Sequence, residues 1–152
     1  MRNNEHILIS LIPRHAKNIF EGNKHVEFRR RTMHITPGTT AWIYVKLPIG
    51  AITGRVNITA IHSSSPAALW RRFGAVSGLS KDEFFDYFSG VTKGIALELA
   101  DTKELRQSIS LTSLREISSS FQPPQFFARL NASNPVLKAA MTEPIRTMYK
   151  LL

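Results

Sequence analysis

The chain has 152 residues, of which 43% are hydrophobic and 20% are charged, and its 20 lysines and arginines against 11 acidic residues give a formal net charge of +9. This size fits one compact domain, and the absence of cysteine excludes disulfides, thiolate zinc sites, iron–sulfur clusters and a cysteine nucleophile. Apolar runs fall far short of the roughly 20 residues of a membrane helix, and no secretory signal is recognisable. We therefore expect a cytoplasmic protein that does not cross a membrane.

Positive charge is concentrated in the first half of the chain. Residues 1–76 hold 11 lysines and arginines and 3 acidic residues, a net charge of +8, whereas the remaining residues carry 9 and 8, a net charge of +1. All five histidines also lie in the first half. Such a distribution is typical of proteins that bind polyanions, although a charged surface also serves solubility.

The first half of the sequence has the pattern of a helix that lies between short strands. An apolar run at 6–10 indicates a strand, and residues 13–22 indicate a helix with proline at its first position and glycine at its end. Residues 25–31 alternate between apolar and charged side chains, which is typical of a strand with one buried face. Two β-prone runs follow at 40–45 and 51–61, and their simplest arrangement is an antiparallel pair.

The last of these runs also predicts which side chains face the core. Ile52, Val56 and Ile58 have the spacing of one core-facing side, and Gly54 indicates a bulge or a close backbone approach. In the preceding run Trp42 and Tyr44 share one face. The sequence does not decide whether that face lies in the core or lines a cleft.

From residue 65 onward the sequence predicts mainly helices. One begins at Ser65 and Pro66 and ends at Phe73, and a second has a capping box at 80–83 followed by an aromatic face. Residues 95–99 alternate as a strand does. The segment 109–117 is ambiguous between a strand end and a short helix. A further helix is expected after Pro135, with a second helix start at 142–144. This order favours an α+β fold with a small, mainly antiparallel sheet of four or five strands that curls into a barrel.

The densest cluster of charge is the segment 22–31, GNKHVEFRRR, in which five basic side chains fall within eight residues. Lys24 lies at the turn before the strand, where its ammonium can reach a phosphate or a carbonyl. Glu27 and Arg29 are two residues apart on one strand face and can form a fixed ion pair. A charged edge strand that blocks aggregation explains the same residues equally well.

The segment resembles the start of the ASCH family, which is related to the PUA-like RNA-binding domains. The likeness covers roughly residues 7–130 and rests on motifs that occur in the family's order: Ile7-Leu8-Ile9-Ser10 with Pro13, Gly22-x-Lys24-x-x-Glu27-x-Arg29, Tyr44 with residues 48–54, the aromatic helix at 80–90, the strand at 94–99, and Pro123-Pro124-Gln125 with Phe127. It implies that residues 1–130 form a PUA-like β-barrel flanked by helices. Residues 131–152 lie beyond the likeness, and the helix expected after Pro135 makes them a C-terminal helical extension.

The resemblance also implies a cleft beside the first helix that binds RNA or a nucleotide. Lys24, Glu27 and Arg29 would lie at its centre, with other cations around it: Arg30, Arg31, Arg55, Arg71 and Arg72. Some small family members cut RNA or hydrolyse a modified cytidine, and in such an enzyme Lys24 and Glu27 would be the catalytic residues. The amidohydrolase branch matches at Lys24 but has threonine in place of Glu27. Its catalytic glutamate would fall near Val76 or Ser77, which counts against that activity.

The sequence gives little support for a metal site or a bound cofactor. The histidines lack the helical i, i+4 spacing of a zinc site, and no phosphate-cradling glycine loop or nucleophile elbow occurs, so we assign no metal and no cofactor. In the cluster at 70–73, Trp70 is better explained as core, with Arg71 and Arg72 left for phosphate contacts.

Three functions therefore remain open. The first is an RNA- or nucleotide-binding domain in RNA metabolism or in the regulation of gene expression. The second is a small hydrolase, either a ribonuclease or an acylcytidine amidohydrolase. The third is a transcription-related module that binds DNA.

Overall fold

Six strands form one sheet in the computed structural model of this protein, which describes residues 3–147. Along the chain the strands are β1 (His6–Leu11), β2 (Val26–Arg29), β3 (Thr39–Val45), β4 (Ala51–Ser64), β5 (Gly94–Ser110) and β6 (Phe127–Arg129). The α-helices of the described residues are α1 (Pro13–Phe20), α2 (Pro66–Phe73), α3 (Lys81–Tyr87), α4 (Leu111–Ile117) and α5 (Pro135–Thr142), with a 3-10 turn at Gly74–Val76. None of these helices is long and apolar enough to cross a bilayer.

The order of strands across the sheet is β2-β5-β4-β3-β1-β6. Strands β1 and β3 run parallel, and every other neighbouring pair runs antiparallel. The two edge strands are brought together, because Arg29 of β2 donates a hydrogen bond from Nη1 to the carbonyl of Phe126, directly before β6, at 3.0 Å. The expected α+β fold is confirmed as a sheet curled into a half-barrel and flanked by helices.

Strand β3 is buried on both faces, and alternate side chains enter two different cores. Ala41, Ile43 and Val45 enter the first core beside α1, whereas Trp42 and Tyr44 enter the second. This settles the open question for Trp42 and Tyr44, which are core residues. The second core also takes in α5, so the described part of the predicted C-terminal extension packs on the sheet. Residues 148–152 of that extension lie outside the described residues.

The prediction that Ile52, Val56 and Ile58 share one core is wrong. Ile52 lies in the second core, whereas Val56 and Ile58 lie in the first. The reason is a shift of register between Ile52 and Gly54, which reverses the side-chain alternation. The predicted close approach at Gly54 is present, because a Cβ there would lie 2.4 Å from the carbonyl oxygen of Lys103 and 2.6 Å from the ring of Phe20.

A third core, rich in aromatic side chains, joins β2 to α2 and α3. Val26 and Phe28 point into it from β2, and the Phe28 ring lies edge-on to that of Phe84 at 4.8 Å. The predicted capping box of α3 forms between Ser80 and Glu83. Because Val26 and Phe28 are anchored on this side, the alternate residues of β2 face the opposite side, towards α1.

Two predictions near the end of the chain have different outcomes. The ambiguous segment 109–117 is both a strand end and a helix, since β5 ends at Ser110 and that residue caps α4. The second helix start at 142–144 is wrong. The backbone there runs beside β5 instead, with the carbonyl of Pro144 accepting from the Arg106 amide at 2.7 Å, because β5 offers unpaired backbone groups at this point.

Candidate nucleic-acid interface

A cleft of about 360 Å³ opens between α1, β2 and α3. Its polar lining comes from six parts of the chain: Ser10 at β1, Arg14 and His15 of α1, Lys24, Glu27 and Arg29 at β2, Lys46 after β3, Glu83 and Tyr87 of α3, and Gln125. The cleft therefore gathers the three residues at the centre of the sequence prediction. It also adds side chains that the chain order alone would not bring together.

Lys24 lies at the floor of the cleft and is 2% exposed. The chain turns after α1 through Gly22, which has a φ of +82°, and the amide of Lys24 bonds to the carbonyl of Asn18. The ammonium Nζ then donates to the carbonyl of Ser77 at 2.6 Å and lies 3.4 Å from Oε1 of Glu27. Lys24 is thus tied to both the strand and the turn before α3.

Glu27 bridges two cations. Its Oε2 lies 3.2 Å from Nη2 of Arg29, while its other oxygen faces Lys24. The predicted Glu27–Arg29 pair is therefore present, and Arg29 also donates a hydrogen bond to the carbonyl of Phe126. A continuous chain of ion pairs and hydrogen bonds lines the cleft floor from Ser77 to Phe126. The edge strand is charged, as the alternative reading expected, but its side chains are buried rather than solvated.

Burial alters the proton affinity of two basic groups here. It lowers the pKa of Lys24 below its ordinary value, and the charge of Glu27 opposes that change. Burial also lowers the pKa of His15, and the positive charge of Lys24 adds to the effect. His15 is consequently a neutral imidazole near pH 7, and its buried Nδ1 has no hydrogen-bond partner among residues 3–147. An imidazole in this state is able to accept a proton.

Arg14 and Glu83 form a bidentate ion pair that links α1 to α3 at the cleft. The two N–O distances are 3.2 Å and 2.5 Å. The bonds from Arg14, together with the amide of Ser80, lower the pKa of Glu83 to about 2. Glu83 is therefore ionised at neutral pH, and it places a negative charge beside the cations of the cleft.

A second cavity of about 470 Å³ adjoins the cleft and is lined by Arg29, Arg30, Arg31, Tyr87, Gln125 and Phe126. We call it the arginine groove. It contains the remaining two arginines of the segment 22–31. Arg30 donates to the carbonyls of Tyr87 and Ser89, and the guanidinium of Arg31 lies 4.3 Å from the centroid of the Phe126 ring.

Three predicted RNA-binding residues line neither cavity. Arg55 lies over the Trp42 ring at 5.3 Å, and Arg72 lies over the Phe73 ring at 5.0 Å. Arg71 is exposed on α2, whose apolar side is held against the third core. These arginines do not surround the cleft as expected, because packing of β4 and α2 directs them elsewhere. Their contact with RNA stays a prediction.

Sequence reasoning missed His15, Tyr87 and Lys46 as members of the cleft. His15 falls within the predicted helix 13–22, Tyr87 within the predicted aromatic face, and Lys46 directly after the predicted strand 40–45. Nothing in their own neighbourhoods indicated a shared cavity. A signal existed for Gln125, which belongs to the Pro123-Pro124-Gln125 motif that carried part of the family resemblance. Within residues 3–147 no cluster of three or more histidine or carboxylate side chains has the arrangement of a metal site.

Comparison with known proteins now places the fold in a family. A family model described as a domain of unknown function, DUF365, matches residues 7–122. A protein of Zymomonas mobilis named an ASCH domain-containing ribonuclease is 36% identical over 138 residues, which cover 91% of this chain and 93% of that protein. The chain belongs to the ASCH-domain family.

Solved structures agree with this assignment. The crystal structure of ASCH from Zymomonas mobilis matches with a TM-score of 0.85 and 35% identity, over 93% of this chain and 97% of that one. The N-terminal domain of Staphylothermus marinus McrB matches with a TM-score of 0.59 at 12% identity, over 90% and 93% of the two chains, which is a likeness of fold alone. An amidohydrolase glutamate was expected near Val76 or Ser77, and of these two residues Ser77 contacts Lys24 through its backbone carbonyl.

Proposed function

We propose that this ASCH domain binds single-stranded RNA in the cleft and cleaves the phosphodiester backbone there. The observation that carries the proposal is the buried chain of Lys24, Glu27 and Arg29 on the floor of an open, cation-lined cleft. The name of the Zymomonas relative, a ribonuclease that aligns over nearly the whole chain, supports the same reaction. A cytoplasmic location, expected from the sequence, is part of this proposal.

Electrostatics supports RNA as the ligand. Lysine and arginine side chains that meet phosphates release counterions, and this term supplies most of the sequence-independent affinity for nucleic acid. The cleft and the arginine groove together hold six such side chains: Arg14, Lys24, Arg29, Arg30, Arg31 and Lys46. Among residues 3–147 only two carboxylates, Glu27 and Glu83, line the same cavities, and both are engaged by arginine.

Cleavage needs a base, a cation and an acid at one phosphate. The 2′-hydroxyl of one nucleotide attacks the adjacent phosphorus, the P–O5′ bond breaks, and the products are a 2′,3′-cyclic phosphate and a 5′-hydroxyl. In our proposal neutral His15 accepts the 2′ proton, and Lys24 stabilises the charge that develops on the phosphate. Glu27 keeps the ammonium of Lys24 in place, which makes it a positioning residue. The proton that His15 takes up can return to the leaving oxygen.

Binding without turnover is the second candidate. It is favoured by the pairing of every charge on the cleft floor, because a fully paired cluster is also what a purely structural network looks like. Affinity for RNA would then come from the exposed cations at the opening of the cleft, and Lys24 would contribute only to the stability of the fold.

One experiment separates these candidates. End-labelled single-stranded RNA is incubated with the wild-type protein, with Lys24→Ala and with Lys138→Ala, an exposed lysine on α5 that lines neither cavity. We expect cyclic-phosphate products with the wild type and Lys138→Ala, and none with Lys24→Ala. Circular dichroism confirms that each variant is folded, and Lys24→Arg tests whether charge alone suffices.

Each other outcome identifies a different function. Salt-sensitive retention of RNA without any product supports the binding domain. Turnover of acylated cytidine in place of RNA supports the amidohydrolase, and tighter retention of duplex DNA than of single-stranded RNA supports a transcription-related module. Each of these three results contradicts our proposal that the cleft cleaves RNA.

A further inference from the structure

The arginine groove continues the cleft along the surface. The two cavities share Arg29, Tyr87 and Gln125, so a ligand that leaves the cleft on this side enters the groove directly. Their volumes of about 360 Å³ and about 470 Å³ both fall within the range of small-ligand sites, roughly 300 to 1,000 Å³. Each cavity is therefore large enough to be a separate binding site.

The groove differs from the cleft in its charge. Three of the six described residues that line it are arginines and none is acidic, whereas the cleft contains Glu27 and Glu83. Arg30 is held in place through Nη1 by the carbonyls of Tyr87 and Ser89, at 2.6 Å and 3.1 Å. A guanidinium that is already oriented loses little freedom when it meets an anion. The groove is thus suited to a phosphate.

The groove also offers a surface for a base. The ring of Phe126 is partly exposed, and the Arg31 guanidinium lies over it at 4.3 Å, a geometry in which both flat groups can take part in stacking. The amide of exposed Gln125 lies next to it in the chain and can both donate to and accept from a base edge. Aromatic rings beside arginines are the usual means by which proteins hold unpaired bases.

We propose that the arginine groove binds the nucleotide next to the one in the cleft, with Phe126 and Arg31 as its stacking platform. The inference rests on the proposed function and extends it, because it specifies the substrate class. The ligand is a single-stranded oligonucleotide of at least two nucleotides rather than a free nucleoside or mononucleotide. Arg29, which lines both cavities and bonds to the carbonyl of Phe126, positions the platform relative to the cleft floor.

The test compares ligands of different length under conditions without turnover. Binding of uridine monophosphate and of 2′-O-methylated di- and tetranucleotides of uridine is measured by calorimetry, since a blocked 2′-oxygen cannot attack the phosphate. We expect the dinucleotide to bind the wild type at least about 5-fold more tightly than the mononucleotide, in line with the stacking of one base. Phe126→Ala and Arg31→Ala should abolish that gain and leave mononucleotide affinity within about 2-fold.

Matched variants control for charge and folding. Arg106→Ala removes an exposed arginine that lines neither cavity and should keep the length dependence. Because Phe126 also packs against the first core, Phe126→Leu keeps the bulk without a ring, and Phe126→Tyr should retain the gain. Circular dichroism shows which variants are folded, and Phe126→Leu replaces Phe126→Ala if the latter unfolds.

Two failures can be told apart. If the wild type binds no oligonucleotide of any length, the proposed function fails and this inference fails with it. If the wild type binds and cleaves RNA but mono- and dinucleotide bind equally, the inference alone is overturned. The same conclusion follows if Phe126→Leu weakens both ligands by the same factor.

Discussion

Lys24 and Ser77, 53 residues apart, are joined by a hydrogen bond of 2.6 Å from the lysine ammonium to a backbone carbonyl. The bond connects the start of β2 to the turn that precedes α3. Since the same ammonium faces Glu27 at 3.4 Å, one side chain both lines the cleft and holds two of its walls together. A change at Lys24 should therefore affect stability as well as activity.

Substitution Lys24→Met should destabilise the protein by about 2 to 4 kcal/mol. It leaves the carbonyl of Ser77 without its donor and Glu27 with a single cation, and a buried charge that loses a partner carries a large desolvation cost. Urea unfolding followed by circular dichroism measures the free energy of unfolding. The matched control is Lys17→Met, which removes an exposed partner of Glu21 and should change stability by less than about 0.5 kcal/mol. Equal losses in the two variants would contradict the buried role of Lys24.

Substitution Glu83→Gln should strengthen RNA binding by about 3- to 10-fold at low salt. It removes a negative charge from the cleft and releases Arg14 for a phosphate contact, while glutamine can still accept the capping bond from Ser80. The slope of log affinity against log salt concentration should become steeper by about one contact. Asp82→Asn makes the same charge change one residue away, outside the cleft lining. If both variants gain equally, net charge explains the result and the Arg14–Glu83 pair does not restrain binding.

Stability should fall in mild acid because of His15. Its pKa in the folded protein lies below the ordinary value of 6.5, since burial and the charge of Lys24 disfavour the imidazolium. Between these two pKa values the unfolded chain binds more protons than the folded one, so the free energy of unfolding decreases as pH drops below 6.5. His15 is only half-buried, and we expect a change of about 0.5 kcal/mol or less.

Urea titrations between about pH 8 and pH 5, with and without His15→Gln, measure this contribution. The variant cannot titrate at this position and should show a flatter profile. An identical slope in both proteins would mean that His15 has the same proton affinity folded and unfolded.

Substitution Gly54→Ala should destabilise the fold by about 1 to 3 kcal/mol through overpacking. The new Cβ would lie 2.4 Å from a backbone oxygen of β5 and 2.6 Å from the Phe20 ring, and the backbone atom has little room to move. Ser108→Ala, at an exposed position on β5, should stay within about 0.5 kcal/mol of the wild type. If Gly54→Ala is as stable as that control, the bulge has more free space than its geometry indicates.

Local features were readable from the sequence because they depend on residues three or four positions apart. The capping box of Ser80 and Glu83, the proline start of α2 and the alternation of Val26 with Phe28 are of this kind, and all three occur in the structure. The family resemblance rested on motifs of similarly short range. Its expected cleft contains Lys24, Glu27 and Arg29.

Features that depend on distant partners were predicted poorly. The register shift between Ile52 and Gly54 arises from pairing with β5, so it was invisible in the alternation of β4 alone. Arg55, Arg71 and Arg72 were expected around the cleft because of their charge, but they line neither cavity. His15 and Tyr87 showed no sign of a shared cavity, because their neighbourhood is created by the packing of α1 and α3 against β2.

Composition and short-range sequence patterns were sufficient to predict the basic character of the chain, its α+β class and the charged face of β2. Whether that face is solvated or buried depends on closure of the curled sheet, which brings Phe126 to Arg29 across 97 residues and Ser77 to Lys24 across 53. A lysine, a glutamate and an arginine can leave water only where opposite charges and carbonyl groups replace their hydration. Those partners come from remote parts of the chain, so the candidate site exists only in the folded protein.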